Sequence, residues 1–215
     1  MDLRIYELTN GEGPAVWFFG ALAIVKATAK QTANAFALIE QRAPVGLATP
    51  YHLHRAEDEA FFVLEGQLEF TSGDHRLTGG PGTYVFLPRN IPHGFRVTGS
   101  TPARFLVLTT PAGFEGFVME MGEPASARTL PAPSEPDMDR LTVLAAKYGI
   151  EILGPLPERV GGSRLPPVLA SGEELRNDRQ GGSGSGPGRP RRRAARRRQA
   201  SPLECLEKDP PCFAS

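Results

Sequence analysis

Cysteine is almost missing. The 215 residues include only Cys205 and Cys212, so no disulfide framework supports the fold and a reducing compartment is the simpler setting. Long apolar runs are missing too: no stretch approaches the roughly 18–20 apolar residues that a membrane span needs. The first residues, MDLRIYELTNGEG, lack a basic region followed by an apolar core. A cytoplasmic location without membrane contact is therefore expected. An excess of one charge is also lacking, with 24 Lys/Arg against 24 Asp/Glu. That balance hides an asymmetry, because Arg189, Arg191, Arg192, Arg193, Arg196, Arg197, Arg198 and Lys208 outnumber Glu204, Glu207 and Asp209 after residue 180. The body before them is mildly acidic.

The body has a consistent texture. Between Ala15 and about Thr110, short apolar or alternating runs (AVWFFG, ALAIVKA, AFALIEQ, AFFVLEG, QLEFTSG, TYVFLP, HGFRVTG and ARFLVLTT) are separated by Gly, Pro, Asn and Asp. That spacing predicts an all-β antiparallel sandwich or barrel rather than parallel strand–helix units. Two helical patterns follow. Phe114, Phe117, Val118 and Met121 repeat at i, i+3, i+4 and i+7, as do Leu141, Leu144, Ala145 and Tyr148, with Asp137 as an N-cap and Gly149 as a stop. Both helices should pack back on the barrel. Between them EPASARTLPAPSEP reads as a linker. The expected division is a barrel over 1–112, a helical extension over 113–160 and a linker with an Arg-rich tail over 161–215. The Gly/Ser stretch and Arg cluster from about residue 178 cannot bury enough apolar surface to offset ordering entropy, so disorder is expected there.

Histidine is scarce, at four residues, yet two of them stand two apart in YHLHRAEDEAFFVLEG, residues 51–66. In an extended strand, side chains two apart share a face, which places the Cβ atoms of His52 and His54 roughly 6.5–7 Å apart. Two imidazoles so placed can converge on one ion at about 2.0–2.1 Å. If RAED bends, inward alternation puts Glu59, Phe61 and Val63 on that same face, and His93 can arrive from another strand. Three imidazoles and a carboxylate suit Fe, Mn, Co, Ni or Zn and suit Mg²⁺ or Ca²⁺ poorly. Without the rest of the set, a His-X-His pair is more often a structural or surface feature. Glu57 and Asp58 compete with Glu59 for the carboxylate position.

These residues resemble the cupin family. Its first motif is matched by Gly46, His52, His54, Glu59 and Gly66 at every interval. Its second is matched by Gly82, Pro88 and His93, with Asn90 in place of a glycine and Val97 in place of a final asparagine. Only 15 residues separate Gly66 from Gly82, a compact arrangement similar to single-domain microbial cupins. The segment NGEGPAVWFFGALAIVKATAKQTANAFALIEQRAPVG, and LAAKYGIEILGPLP after the barrel, are similar to the single-cupin quercetin 2,3-dioxygenases of actinobacteria.

The resemblance implies a small jelly-roll cupin β-barrel with C-terminal helices. It implies His52, His54, Glu59 and His93 as metal ligands, and Glu59 also as the catalytic base. It further implies one divalent transition metal ion (Fe, Mn, Co or Ni), with a flavonol-like aromatic enol and dioxygen as substrates. The alternatives are a non-catalytic ligand-binding or regulatory cupin, and a cupin isomerase or epimerase. His75, in TSGDHRL, reads as a solvated hairpin tip. Trp17, Phe18, Phe61, Phe86, Phe95 and Phe105 read as core, with one or two free to line a pocket. Phe114 and Phe117 read as a docked helix face or as a lid. The Arg cluster has no aromatic residue for base stacking, so nucleic acid is not an expected partner, whereas exposed strand edges make a homodimer the expected assembly.

Overall fold

The computed structural model describes residues 3–158. The Arg-rich cluster, both cysteines and the tail expected from residue 161 lie outside the described residues. In chain order the elements are β1 (Ala15–Phe18), β2 (Ala21–Ala27), α1 (Ala29–Thr32), β3 (Ala37–Ala43), β4 (Tyr51–His54), β5 (Asp58–Glu65), β6 (Gln67–Ser72), β7 (His75–Gly79), β8 (Tyr84–Leu87), β9 (Gly94–Thr98), β10 (Ala103–Thr110), α2 (Phe114–Met121), β11 (Glu123–Pro124), α3 (Met138–Lys147) and β12 (Ile150–Gly154). They form a seven-stranded sheet ordered β11-β1-β2-β3-β10-β5-β8, a three-stranded sheet ordered β7-β6-β9, and the pair β12-β4. The named ladders are all antiparallel. No helix among the described residues is long and apolar enough to cross a membrane.

Alternation explains how these strands face the interior. Along β10 the burial pattern is strictly two-residue, with Ala103, Phe105, Val107 and Thr109 inward, as expected of a strand with one face on a core. Glu59, Phe61 and Val63 of β5 are buried while Phe62 is exposed. Phe61, Phe70, Phe95 and Phe105 meet at the centre with ring centroids from 5.0 to 6.1 Å apart in tilted or edge-on pairs. Burying each such ring contributes about 1.5–3 kcal/mol. Helix α2 presses Phe114, Phe117 and Val118 onto this core, and α3 adds Leu141 and Ala145. Asp137 caps α3 by accepting from the Arg140 backbone N–H at 2.9 Å, and Gly149 follows with φ +70°.

Several segments differ from the sequence expectation. The start of the Pro-rich stretch is an edge strand: Val16 pairs with Pro124 and Trp17 with Glu123, a place where proline is tolerated because one strand edge needs no donor. The Trp17 indole N–H then donates to the Thr129 carbonyl at 3.0 Å. His75 is not at the hairpin tip but opens β7 just after the Gly73–Asp74 turn. Phe86 is not core. It is 51% exposed with Tyr84 on the outer face of β8, the last strand of its sheet.

Candidate metal centre

The two motifs are laced together by backbone hydrogen bonds before any side chain meets. The His52 N–H donates to the His93 carbonyl at 2.9 Å and the His93 N–H to the His52 carbonyl at 2.7 Å. The Asn90 N–H donates to the His54 carbonyl at 2.8 Å. This pins the turn before β9 against β4, the strand that carries both His52 and His54. Asn90 adopts φ +63°, a left-handed conformation that asparagine tolerates better than most non-glycine residues, so the turn keeps its shape without glycine. Val97, the other departure from the motif, is a buried β9 residue whose carbonyl accepts from Gly46 N–H at 3.0 Å. After β4 the chain bends at Arg55 and Ala56, and β5 begins so that Glu59 faces inward.

His52, His54, Glu59 and His93 are thereby brought together, one ligand atom from each lying within 4.8 Å of the others. His54, Glu59 and His93 are fully buried. The His93 Nε2 and Glu59 Oε2 stand 3.3 Å apart, and the His54 and His93 rings lie parallel at 5.8 Å. Two of the histidines have their tautomer set from behind. His52 Nδ1 lies 2.8 Å from the Pro50 carbonyl and His93 Nδ1 2.8 Å from the Ile91 carbonyl. A carbonyl only accepts, so each Nδ1 carries a proton and each Nε2 is the nitrogen turned toward the cluster. His54 instead has a carboxylate at its back, with Glu57 Oε2 3.6 Å from Nδ1, an ion-pair separation rather than a hydrogen bond.

The electrostatics follow from this crowding. Burial, then the neighbouring imidazoles His93 and His54, depress His52 to about 4, so that ring is neutral at pH 7. Burial alone would raise Glu59; the His93 contact and electrostatic interaction with the three surrounding imidazoles in their protonated forms outweigh it and bring the carboxyl down to about 2. Burial opposes charge on His54, but Glu57 and Glu59 outweigh it and raise that ring.

A cation fits this arrangement on the side chains' own account. The buried Nε2 atoms of His54 and His93 have no hydrogen-bond partner, a costly state for a polar atom. An ion held by three imidazoles and a carboxylate would satisfy them, and N/O donors of this type select first-row transition metals over hard cations. Asp58 does not join the group: it points to the other face of β5, where Arg89 binds it through both carboxylate oxygens at 3.0 and 2.7 Å.

The group opens onto a cavity of about 60 Å³, walled by Phe18, Phe61, Phe95, Phe114, Phe117 and Gln41 among others. Phe114 contacts the His54 ring edge-on at 5.2 Å, so α2 both docks on the core and covers the cluster. Ile150 and Ile152 of β12 complete the wall, paired opposite His54 and His52. Local sequence pattern offered Glu57 as a rival ligand, whereas it stands behind His54; Gln41 and β12 were not singled out as parts of the site.

Comparison with known proteins agrees with this architecture. Residues 39–109 match the cupin domain family, and this segment spans strands β3 to β10 with all four clustered side chains. It is 25% identical over 151 residues to quercetin 2,3-dioxygenase of Bacillus subtilis, covering 70% of this chain and 44% of that protein. It is 46% identical over 68 residues to the dimethylsulfoniopropionate lyase DddQ of Ruegeria pomeroyi, covering 30% and 32%. The chain thus spans less than half the length of either relative. Among solved structures, the polyketide cyclase RemF of Streptomyces resistomycificus aligns at 24% identity with a TM-score of 0.44, covering 50% of this chain and 80% of that one.

Proposed function

We propose that the protein is a metal-dependent dioxygenase of the quercetinase type, which opens a flavonol-like aromatic enol with dioxygen. The observation that carries this reading is a three-imidazole, one-carboxylate donor set at the wall of a cavity lined mainly by aromatic and aliphatic side chains. In this reading His52, His54, Glu59 and His93 hold one Fe, Mn, Co or Ni ion, which supplies a Lewis-acidic, redox-capable centre. The similarity to the Bacillus quercetin dioxygenase supports it.

The chain's own residues would do the following. The Phe rings sandwich a flat ligand and exclude water from it. Glu59 takes the proton of the ligand's 3-hydroxyl at a carboxylate oxygen. In the metal-free site, held 3.3 Å from His93, its carboxyl lies near 2. Away from that contact and from the ion, burial favours its protonated form, so its proton affinity climbs toward that of a working base. Dioxygen then adds across the heterocycle, which opens with release of carbon monoxide; both oxygen atoms remain in the ring-opened ester.

One observation favours a second reading. A cavity of about 60 Å³ holds a few water molecules, whereas drug-sized ligands occupy roughly 300 Å³ or more. A flavonol would therefore enter only with displacement of α2 and β12, while a small acid or sugar acted on by an isomerase or epimerase would need less. The apolar lining weighs against such polar substrates. Oxygen uptake by the metal-loaded protein with quercetin and related enols decides: uptake with equimolar carbon monoxide supports the first reading, and metal without uptake on any enol favours the second. A homodimer belongs to the same proposal, because β8 ends its sheet with Tyr84 and Phe86 exposed beside Phe62.

A further inference from the structure

Gln41 interrupts an apolar row. The inward positions of β3 are Ala37, Ile39, Gln41 and Ala43, all buried. Its neighbour Glu40, facing the opposite way, is fully engaged: Arg104 Nε donates to it at 2.7 Å and Lys26 Nζ lies at 3.3 Å. The Gln41 side chain makes no hydrogen bond to another described residue, and with the residue only 6% exposed its amide borders the cavity beside Phe18, Phe61, Phe95 and Val107. Such an amide carries two donors and an acceptor that packing against rings cannot satisfy. Met or Leu would fill the volume without that cost. An unpaired amide held at a cavity wall is what a site needs in order to read a polar atom on a ligand, since an analogue lacking that atom leaves the amide stranded.

The register shows which end of the cavity it serves. Glu59 pairs with Thr109, which pairs with Ala37; Gln41 pairs with Phe105, two strands over and four residues along. With strands about 4.8 Å apart and a rise of about 3.4 Å per residue, the two Cα atoms are separated by roughly 16 Å of sheet, less the curvature. Gln41 therefore faces the part of a ligand remote from the His/Glu cluster.

We infer that Gln41 is a specificity-determining residue, whose amide hydrogen-bonds a hydroxyl or carbonyl oxygen on the distal part of an otherwise apolar substrate. The choice of probes rests on the dioxygenase reading; the first measurement below does not. In the full-length, metal-loaded protein without ligand, Q41M and Q41L should melt at or above the wild-type temperature, because a stranded amide has been removed. A fall of several degrees in both variants would mean that the amide supports the fold, and would overturn the inference. The second measurement compares kcat/KM for quercetin, whose outer rings carry hydroxyls, with that for 3-hydroxyflavone, whose outer rings carry none. The ratio should drop about tenfold or more in Q41M, chiefly through KM for quercetin; an unchanged ratio overturns the inference. If the wild type turns over neither compound, the dioxygenase reading fails and the melting comparison alone decides on Gln41.

Discussion

Replacing Glu57 by glutamine isolates the one ionisable group that, among the described residues, stands behind a candidate ligand. Glu57 is buried, and its Oε2 lies 3.6 Å from His54 Nδ1, whereas His52 and His93 are oriented by backbone carbonyls at 2.8 Å that no substitution removes. Loss of a group that orients a metal-bound histidine costs 10- to 100-fold in metal affinity. Here the contact is longer than a hydrogen bond and glutamine keeps the shape, so the lower end applies: about tenfold, or about 1.4 kcal/mol, at pH 8. A second effect opposes the first. Glu57 and Glu59 raise His54 above its ordinary value, so in the metal-free wild type a proton competes with the ion at pH 6. E57Q removes the larger of those raising influences and so weakens the competitor. The affinity deficit of E57Q should therefore be about tenfold at pH 8 and smaller at pH 6. Competitive titration of Co²⁺ against a chromophoric chelator at both pH values measures it, with circular dichroism confirming the fold. No deficit at pH 8 would show that Glu57 does not position His54. A deficit that grows toward pH 6 would show that the sign assigned to His54 is wrong.

The other predictions concern the proposed base and the motif glycines. E59Q should retain metal on its three remaining imidazoles, at reduced affinity, and lose oxygen uptake with quercetin; undiminished turnover measured in an oxygen electrode removes Glu59 from the mechanism. A Cβ at Gly66 would meet Ala103 Cα and the Pro102 carbonyl at 2.7 Å with φ at +74°, whereas at Gly46, with φ +84°, nothing lies within 4 Å. G46A should cost about 1–2 kcal/mol for the left-handed backbone alone. G66A should cost at least about twice that and lower Tm proportionately, by about 2–4 °C per kcal/mol. Equal shifts for the two variants in thermal melts would refute the steric argument.

Much of this architecture could be read from local pattern because its signals are short-range. The two-residue period of ARFLVLTT fixed which residues of β10 face inward. The His52–His54 spacing placed two imidazoles on one face, and the i, i+3, i+4, i+7 repeats located α2 and α3 with the Asp137 cap. What escaped was set by distant pairing. Residues 150–154 become β12 only because β4, a hundred positions earlier, offers them an edge. Glu123–Pro124 becomes a strand only against β1. Phe86 was misjudged because both faces of TYVFL are apolar, so alternation cannot say which is outward. Glu57 and Asp58 could not be separated until the bend at Arg55–Ala56 set the phase of β5 and Arg89 claimed Asp58. Gln41 is silent in sequence, since a lone glutamine in a strand reads as surface.

The central claim is that three imidazoles and one carboxylate hold a single transition metal ion inside the sheet. Elemental analysis of the purified full-length chain, alongside H54A and H93A variants of confirmed fold, tests it most directly. The account predicts about one Fe, Mn, Co or Ni ion per wild-type chain, with each histidine variant nearly empty after dialysis. A wild type that stays empty when transition metals are supplied in excess, or variants that keep the full complement, would contradict it.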